Sequence, residues 1–264
     1  MQDYKHKEFN ELFDLSGKIA IVTGGANGIG KASALRLAQA GANIVIADLK
    51  MDDAKAAAKE IESFGVKALA VECNILKDDD LVAMVDKAVD TFGSINILIN
   101  NAGGGGGGQE NPFEISVDDF RRDFELNVFS AWRLCQLCVP HMKKSGYGSI
   151  VITTSMSSVN KSPDMSGYAA SKAAVNHMVA NLAHDFGSEV RINAVGPGAT
   201  RTASLETVLT SELEEKMLAH TPIKRLGEAD DIAGAMLYFA SPISSWVSGQ
   251  TLFVNGGGVQ TLDQ

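Results

Sequence analysis

Short runs in which nearly every position is apolar or β-branched alternate along this chain with longer segments whose apolar residues recur every three or four positions. Strands are predicted at 18–23, 43–48, 66–72, 95–100, 149–154, 190–195 and 251–254. Helical spacing fills 31–40, 52–64, 78–92, 117–142, 166–186 and 228–240. A run such as IAIV at 19–22 has no polar face, as expected of a parallel strand covered by helices on both sides. The alternation predicts an α/β fold: a doubly wound, mostly parallel seven-stranded sheet with helices on both faces, in one domain over 17–264. Residues 1–16 mix charged and apolar positions without period and read as a polar N-terminal arm.

Composition narrows the function. The 264 residues carry 23 Lys+Arg against 32 Asp+Glu, a net charge of −9. That balance opposes non-specific attraction to nucleic acid or anionic membranes and suits a small-molecule ligand. No uncharged stretch is apolar enough to span a bilayer, and the start lacks the apolar run of a signal peptide. Three cysteines, Cys73, Cys135 and Cys138, make an odd, sparse set that fits a reducing, cytoplasmic setting.

Between the first predicted strand and helix lies TGGANGIG, residues 23–30. A glycine turn there exposes backbone N–H groups to a pyrophosphate at a helix N-terminus. Asp48 closes the second strand 18 residues after Gly30, near the spacing of about 20 for the acid that binds an adenosine ribose. A carboxylate there accepts bonds from a ribose 2′-OH and repels a 2′-phosphate, so NAD is expected over NADP; Lys50 is the nearby cation that could soften the preference. Six glycines, 103–108, follow the fourth strand. They read either as a plain flexible loop or as the border of a site, where missing side chains leave space.

Tyr168 and Lys172 are four apart at the start of a predicted helix and share a face. A phenol with pKa near 10 must lose roughly three units, about 4 kcal/mol, to act as a base at pH 7; a neighbouring ammonium could supply much of that. The alternative is a packed ring beside a snorkelling amine. Ser155 ends a strand 13 residues earlier. Asn127 falls on the stripe Phe120, Phe124, Asn127, Ala131, Leu134, Cys138, either as a satisfied core amide or as the holder of a water relay to Lys172. Cys135, Cys138 and His141 do not share one helix face, so core packing is favoured over a metal site.

The chain resembles the short-chain dehydrogenases/reductases from about Leu15 onward. The likeness rests on TGGANGIG, NNAG at 100–103, Asn127 in ELNV, Ser155, YAASK at 168–172 and Pro197-Gly198. It implies a Rossmann-type fold and an NAD cofactor. Tyr168 is then the general acid/base, Lys172 lowers its pKa and holds the nicotinamide ribose, Ser155 positions the substrate oxygen and Asn127 supports the proton relay. Cofactor contacts are implied for Gly24, Asn27, Gly28, Ile29, Gly30, Asp48, Leu49, Asn74, Ile75, Asn101, Ala102, Gly103, Pro197, Gly198, Thr200 and Thr202, besides Tyr168 and Lys172. Asn74 stands where the family usually has an Asp that contacts adenine.

Within the family the chain is most similar to bacterial hydroxysteroid dehydrogenases, through NNAGGGG, FELNVFS, TSMSSVNK, EEKMLAHTPIKRLG, SSWVSGQ and GGGVQ. This implies oxidation of a bile-acid 7α-hydroxyl and adds Gly105 and Asn160 to Ser155 and Tyr168 as substrate contacts. The segment Leu205, Val208, Leu209, Leu213, Met217 is expected to form an apolar flap, with ordinary core packing as its alternative. The rival substrate is a 3-oxoacyl thioester, and the rival class a catalytically silent dinucleotide sensor or scaffold. Phe129, Trp132, Leu137, Val175, Met178 and Leu182 exceed what one sheet-facing stripe needs, and relatives pair these helices; a homotetramer is expected.

Overall fold

The computed structural model describes residues 8–105, 110–161, 163–207 and 209–258. The chain alternates β1 (Ile19–Thr23), α1 (Gly28–Gln39), β2 (Asn43–Asp48), α2 (Met51–Glu62), β3 (Ala68–Glu72), α3 (Asp78–Phe92) and β4 (Ile97–Asn100). It continues through α4 (Val117–Phe124), α5 (Ser130–Ser145), β5 (Gly148–Thr153), α6 (Ser166–Phe186), β6 (Val190–Pro197), α9 (Ala229–Ala240) and β9 (Thr251–Val254). Between β6 and α9 lie β7 (Thr200–Arg201), α7 (Ala203–Glu206), α8 (Ser211–Ala219) and β8 (Gly227–Glu228).

Seven strands form one sheet in the order β3-β2-β1-β4-β5-β6-β9, and every pairing is parallel. The strand period of two divides the core. Ile19 and Ile21 enter one apolar cluster with Leu134, Cys138 and Val175, while Ala20 and Val22 enter the other with Leu37, Met236 and Phe239. Strand order reverses between β1 and β4, and the crevice beyond their C-terminal ends is where ligands bind in such sheets.

Three expectations change. The helix predicted at 117–142 is interrupted: Glu125–Phe129 is a π-helical turn in which the Ser130 amide donates to the Glu125 carbonyl. One extra residue per turn breaks the stripe there. Phe120 is left exposed and Asp123 becomes the buried residue of α4. The flap is two short helices, α7 and α8, each restarted by a threonine: Thr202 Oγ1 accepts from the Leu205 amide and Thr210 Oγ1 from the Leu213 amide. Helical spacing from 205 to 217 therefore does not describe one face, and Val208 lies outside the described residues. Finally, Val175 and Leu182 belong to the core rather than to a surplus surface; Phe129 and Trp132 are the residues of that set left about half exposed.

Candidate active site

The glycine turn closes against the ends of β4 and β5. A Cβ on Gly30 would stand 2.1 Å from the Gly24 carbonyl oxygen, so no larger residue fits. Asn101 holds this corner: its Nδ2 donates to the carbonyls of Thr23 (3.2 Å) and Gly24 (3.3 Å), and Thr153 Oγ1 donates to its Oδ1 at 3.2 Å. Thr23 Oγ1 accepts from the amides of Asn101 and Ala102. The nearest side chain to Gly28 on this side is Thr202, 3.7 Å from a Cβ built there, which brings the 198–202 segment over the turn. Asn27 leans outward, its Nδ2 donating to Asp53.

Asp48 ends β2 with its carboxylate at the turn, accepting from the Ala26 amide at 3.1 Å and from the Lys50 amide at 3.2 Å. Leu49 is exposed beside it and Ile75 is buried. Asn74 folds back on its own loop, Oδ1 accepting from the Leu76 amide at 3.0 Å while its backbone N–H donates to Asp80. Its amide is already partly used locally. Asn100 Nδ2 is buried with no partner in the described structure. A turn whose Gly24, Gly25 and Gly30 leave little or no room for a Cβ, a carboxylate held at its edge and an orphaned donor nearby fit a dinucleotide.

Beyond β4 and β5 the polar residues converge. Ser155 opens a 3₁₀ turn, its Oγ accepting from the Ser157 amide at 3.1 Å, and its hydroxyl acts on the Tyr168 phenol to lower its pKa. One turn along α6, Lys172 is buried, its Nζ donating to the Thr153 carbonyl at 2.9 Å and lying 5.8 Å from the Tyr168 ring centre. Burial pulls the Lys172 ammonium down to about 8. The Tyr168 phenol is pushed up, first by burial and then by the carboxylates of Asp123 and Glu110, with the Ser155 hydroxyl opposing them. Lys172 Nζ stands over the same ring, a cation on one side of the phenol with the two carboxylates acting in the opposite direction.

Asn127 is buried at the π-helical turn, and both ends of its amide are hydrogen-bonded. Oδ1 accepts from the Gly104 amide at 3.0 Å; Nδ2 donates to the Gly104 carbonyl at 2.6 Å and to Ser171 Oγ at 3.0 Å. The side chain clips the glycine loop in place. A Cβ on Gly103 would stand 2.7 Å from Asn127 Oδ1 and 3.3 Å from Lys172 Nζ. Gly105 is exposed and lines a 560 Å³ cavity, with the Tyr168 ring on its other side: a Cβ there would lie 2.4 Å from the ring's Cδ2. Gly106–Gly108 lie outside the described residues. Asn160 is part-buried, its backbone N–H donating to the Met156 carbonyl and its Nδ2 buried without a partner. Gly198 and Thr200 follow β6, Thr200 Oγ1 donating to the Gly198 carbonyl at 3.1 Å, and Pro197 pairs with Val254 at the sheet edge.

Two residues of the site were not foreseen. Glu110 comes from the loop after the glycines, and its carboxylate accepts from the amides of Gly167 (2.6 Å) and Tyr168 (3.2 Å). Asp123 lies beside it. Its one trace in the sequence is its place four residues before Asn127 on the same face.

Cys135 and Cys138 are buried in the core, burial pushing the Cys135 thiol up to about 12 and Cys138 up as well. Among the described residues no helix is long and apolar enough to cross a membrane, and no cluster of three His, Cys, Asp or Glu is placed to hold a metal.

A family model described as enoyl-(acyl carrier protein) reductase matches residues 24–258. The 7α-hydroxysteroid dehydrogenase of Escherichia coli K12 is 49% identical over 250 residues, 94% of this chain and 97% of that protein. Its counterpart from Clostridium sardiniense is 37% identical over 247 residues, covering 92% of this chain and 94% of that protein. A solved 7α-hydroxysteroid dehydrogenase, complexed with NADH and 7-oxo glycochenodeoxycholic acid, superposes with a TM-score of 0.93 at 47% identity, covering 97% of this chain and all of the other.

Proposed function

The chain belongs to the short-chain dehydrogenases/reductases, and from that premise we propose that it is an NAD-dependent oxidoreductase that interconverts the 7α-hydroxyl of a bile acid and the corresponding ketone. The observation that carries the substrate is the 49% identity, over almost the whole of both chains, to an enzyme of that specificity. A neighbour with a TM-score of 0.93 holds NADH and a 7-oxo bile acid.

The glycine turn with Thr202 above it would hold the pyrophosphate, Asp48 the adenosine ribose, and Lys172 the nicotinamide ribose. When bound, NAD supplies the hydride acceptor for the alcohol carbon. Ser155 and Tyr168, whose hydroxyls interact, would share the substrate oxygen. Tyr168 takes its proton during oxidation and returns it during reduction. Lys172 supplies a cation one helical turn from the phenol. Asn127 acts by holding Gly104, which keeps the loop against both side chains.

Assembly and location extend the same proposal. Phe129 and Trp132 are exposed, and a 230 Å³ apolar groove lined by Trp132, Cys135, Val139 and Phe186 runs beside them; a homotetramer that covers this face is proposed. Three buried, free cysteines favour a cytoplasmic setting.

The test measures NAD reduction with cholate and chenodeoxycholate beside their 7-deoxy counterparts, and NADH or NADPH oxidation with an acetoacetyl thioester. Turnover confined to the 7α-hydroxy compounds is expected. Equal turnover of the 7-deoxy compounds removes the regiochemistry, and activity on the thioester alone removes the steroid.

A further inference from the structure

Helix α6 carries Tyr168 in its first turn, yet the residue before the helix does not cap it: Met165 makes no side-chain bond to the helix amides. The orphan N–H groups of a first turn need an acceptor. Here it comes from 57 residues away in sequence. Glu110 Oε2 accepts from the Gly167 amide at 2.6 Å, Oε1 from the Tyr168 amide at 3.2 Å, and the Glu110 N–H donates to the Asp164 carbonyl at 2.9 Å. A carboxylate at this position also opposes the positive end of the helix dipole.

Asp123, from the buried side of α4, joins Glu110. The two carboxyls lie side by side around Gly167, and both residues are more than nine-tenths buried. Their contact explains Gly167, where a Cβ would stand 2.6 Å from Asp123 Oδ2 and 3.3 Å from Glu110 Oε2. The glycine loop is therefore held at both ends, by Asn127 at Gly104 and by α6 at Glu110, with Gly105 against the Tyr168 ring between them.

We propose that Glu110 and Asp123 are positioning residues for Tyr168: Glu110 fixes the tyrosine's backbone by capping α6 from outside, and Asp123 holds Glu110 and adds a charge behind the phenol. The proposal rests on Tyr168 as the acid/base and extends that assignment to two residues that act through its helix.

Two carboxyls in contact and out of water cannot both ionise freely. Burial, then the neighbouring Glu110, then Asp119, push Asp123 up to about 6. The other charged groups around the pair are Glu114 and Arg122, which line the same 560 Å³ cavity, and Lys172 one turn beyond Tyr168. Above its pKa the Asp123 carboxylate adds a negative charge to this pocket, and that charge holds the phenol proton more tightly.

The Tyr168 phenol is titrated directly by NMR of protein labelled with ¹³C at tyrosine Cζ, its resonance assigned by loss in Tyr168→Phe. In Asp123→Asn and Glu110→Gln it is expected to titrate lower than in the wild type by about half a pH unit. In Glu110→Ala the Gly167 and Tyr168 amides are expected to exchange with solvent at least about tenfold faster relative to the second half of α6, with Glu110→Gln restoring part of the protection. Superimposable phenol titrations in all three proteins, or unchanged relative exchange in Glu110→Ala, overturn the proposal. Profiles of kcat/KM against pH separate it from the functional assignment: a phenol shift with an unmoved kinetic profile leaves the positioning role standing and removes Tyr168 as the acid/base.

Discussion

Gly105 and Tyr168 share one space: a Cβ on Gly105 would stand 2.4 Å from Cδ2 of the tyrosine ring. The glycine is where the loop passes the ring, and the ring is where the loop stops. Gly105→Ala must push the phenol away from Ser155. A displacement near 1 Å in a reacting group costs about 100-fold in rate, so kcat is expected to fall by about that factor while the melting temperature stays near the wild type. Steady-state kinetics with a 7α-hydroxy bile acid check this; an unchanged kcat would mean that the loop does not set the ring.

Lys172 is buried, and burial brings its ammonium down to about 8 from an ordinary 10.5. The folded pKa lies below the unfolded one, so the buried charge costs stability below about pH 8. That cost fades between pH 8 and 10.5, where the unfolded chain also loses the proton. Lys172→Met is expected to be more stable than the wild type at pH 7 by on the order of 2 kcal/mol, allowing for the lost bond to Thr153. Near pH 10.5 the difference should vanish, while kcat falls by roughly 100-fold or more at neutral pH. Urea unfolding at several pH values measures it; a gain that grew with pH would reverse the sign of the proposed burial cost.

The Asp48 carboxylate, proposed to hold the adenosine ribose, has its oxygens anchored by the Ala26 and Lys50 amides. Charged hydrogen bonds of this kind are worth about 1.5–3 kcal/mol. Asp48→Ser is expected to lower kcat/KM for NAD by about 10- to 100-fold and to raise it for NADP by removing the repulsion of a 2′-phosphate. The ratio of the two cofactors, measured at matched concentrations, decides; an unchanged ratio would place the ribose elsewhere.

The frame of the fold was legible because its signals are local. Apolar strands, glycine at the first turn and the 3.6-residue stripes each act within a dozen residues, and β2, α3, α6 and β9 fall on their predicted bounds. The π-helical turn was not legible: the residues 125–129 are ordinary helix formers, and the irregular hydrogen bond at Glu125 appears with the packing of Asn127 against Gly104 and Ser171. Glu110 and Asp123 were invisible for a related reason. A glutamate in a polar loop and an aspartate in a charged helix read as solvated, and only the approach of α4, α6 and the loop buries both. The glycine run pointed to a border of the site, and Gly105 does line a cavity, but nothing in the run said that the Tyr168 ring would pass so close to it.

The most direct measurement of the central claim follows the hydrogen on C7. Cholate deuterated at that carbon is oxidised with NAD, and the reduced cofactor and the bile-acid product are analysed by mass spectrometry. The account predicts one deuterium in each NADH formed and a 7-oxo product, with Tyr168→Phe slowing both together. Unlabelled NADH, or a ketone at another carbon, would contradict it.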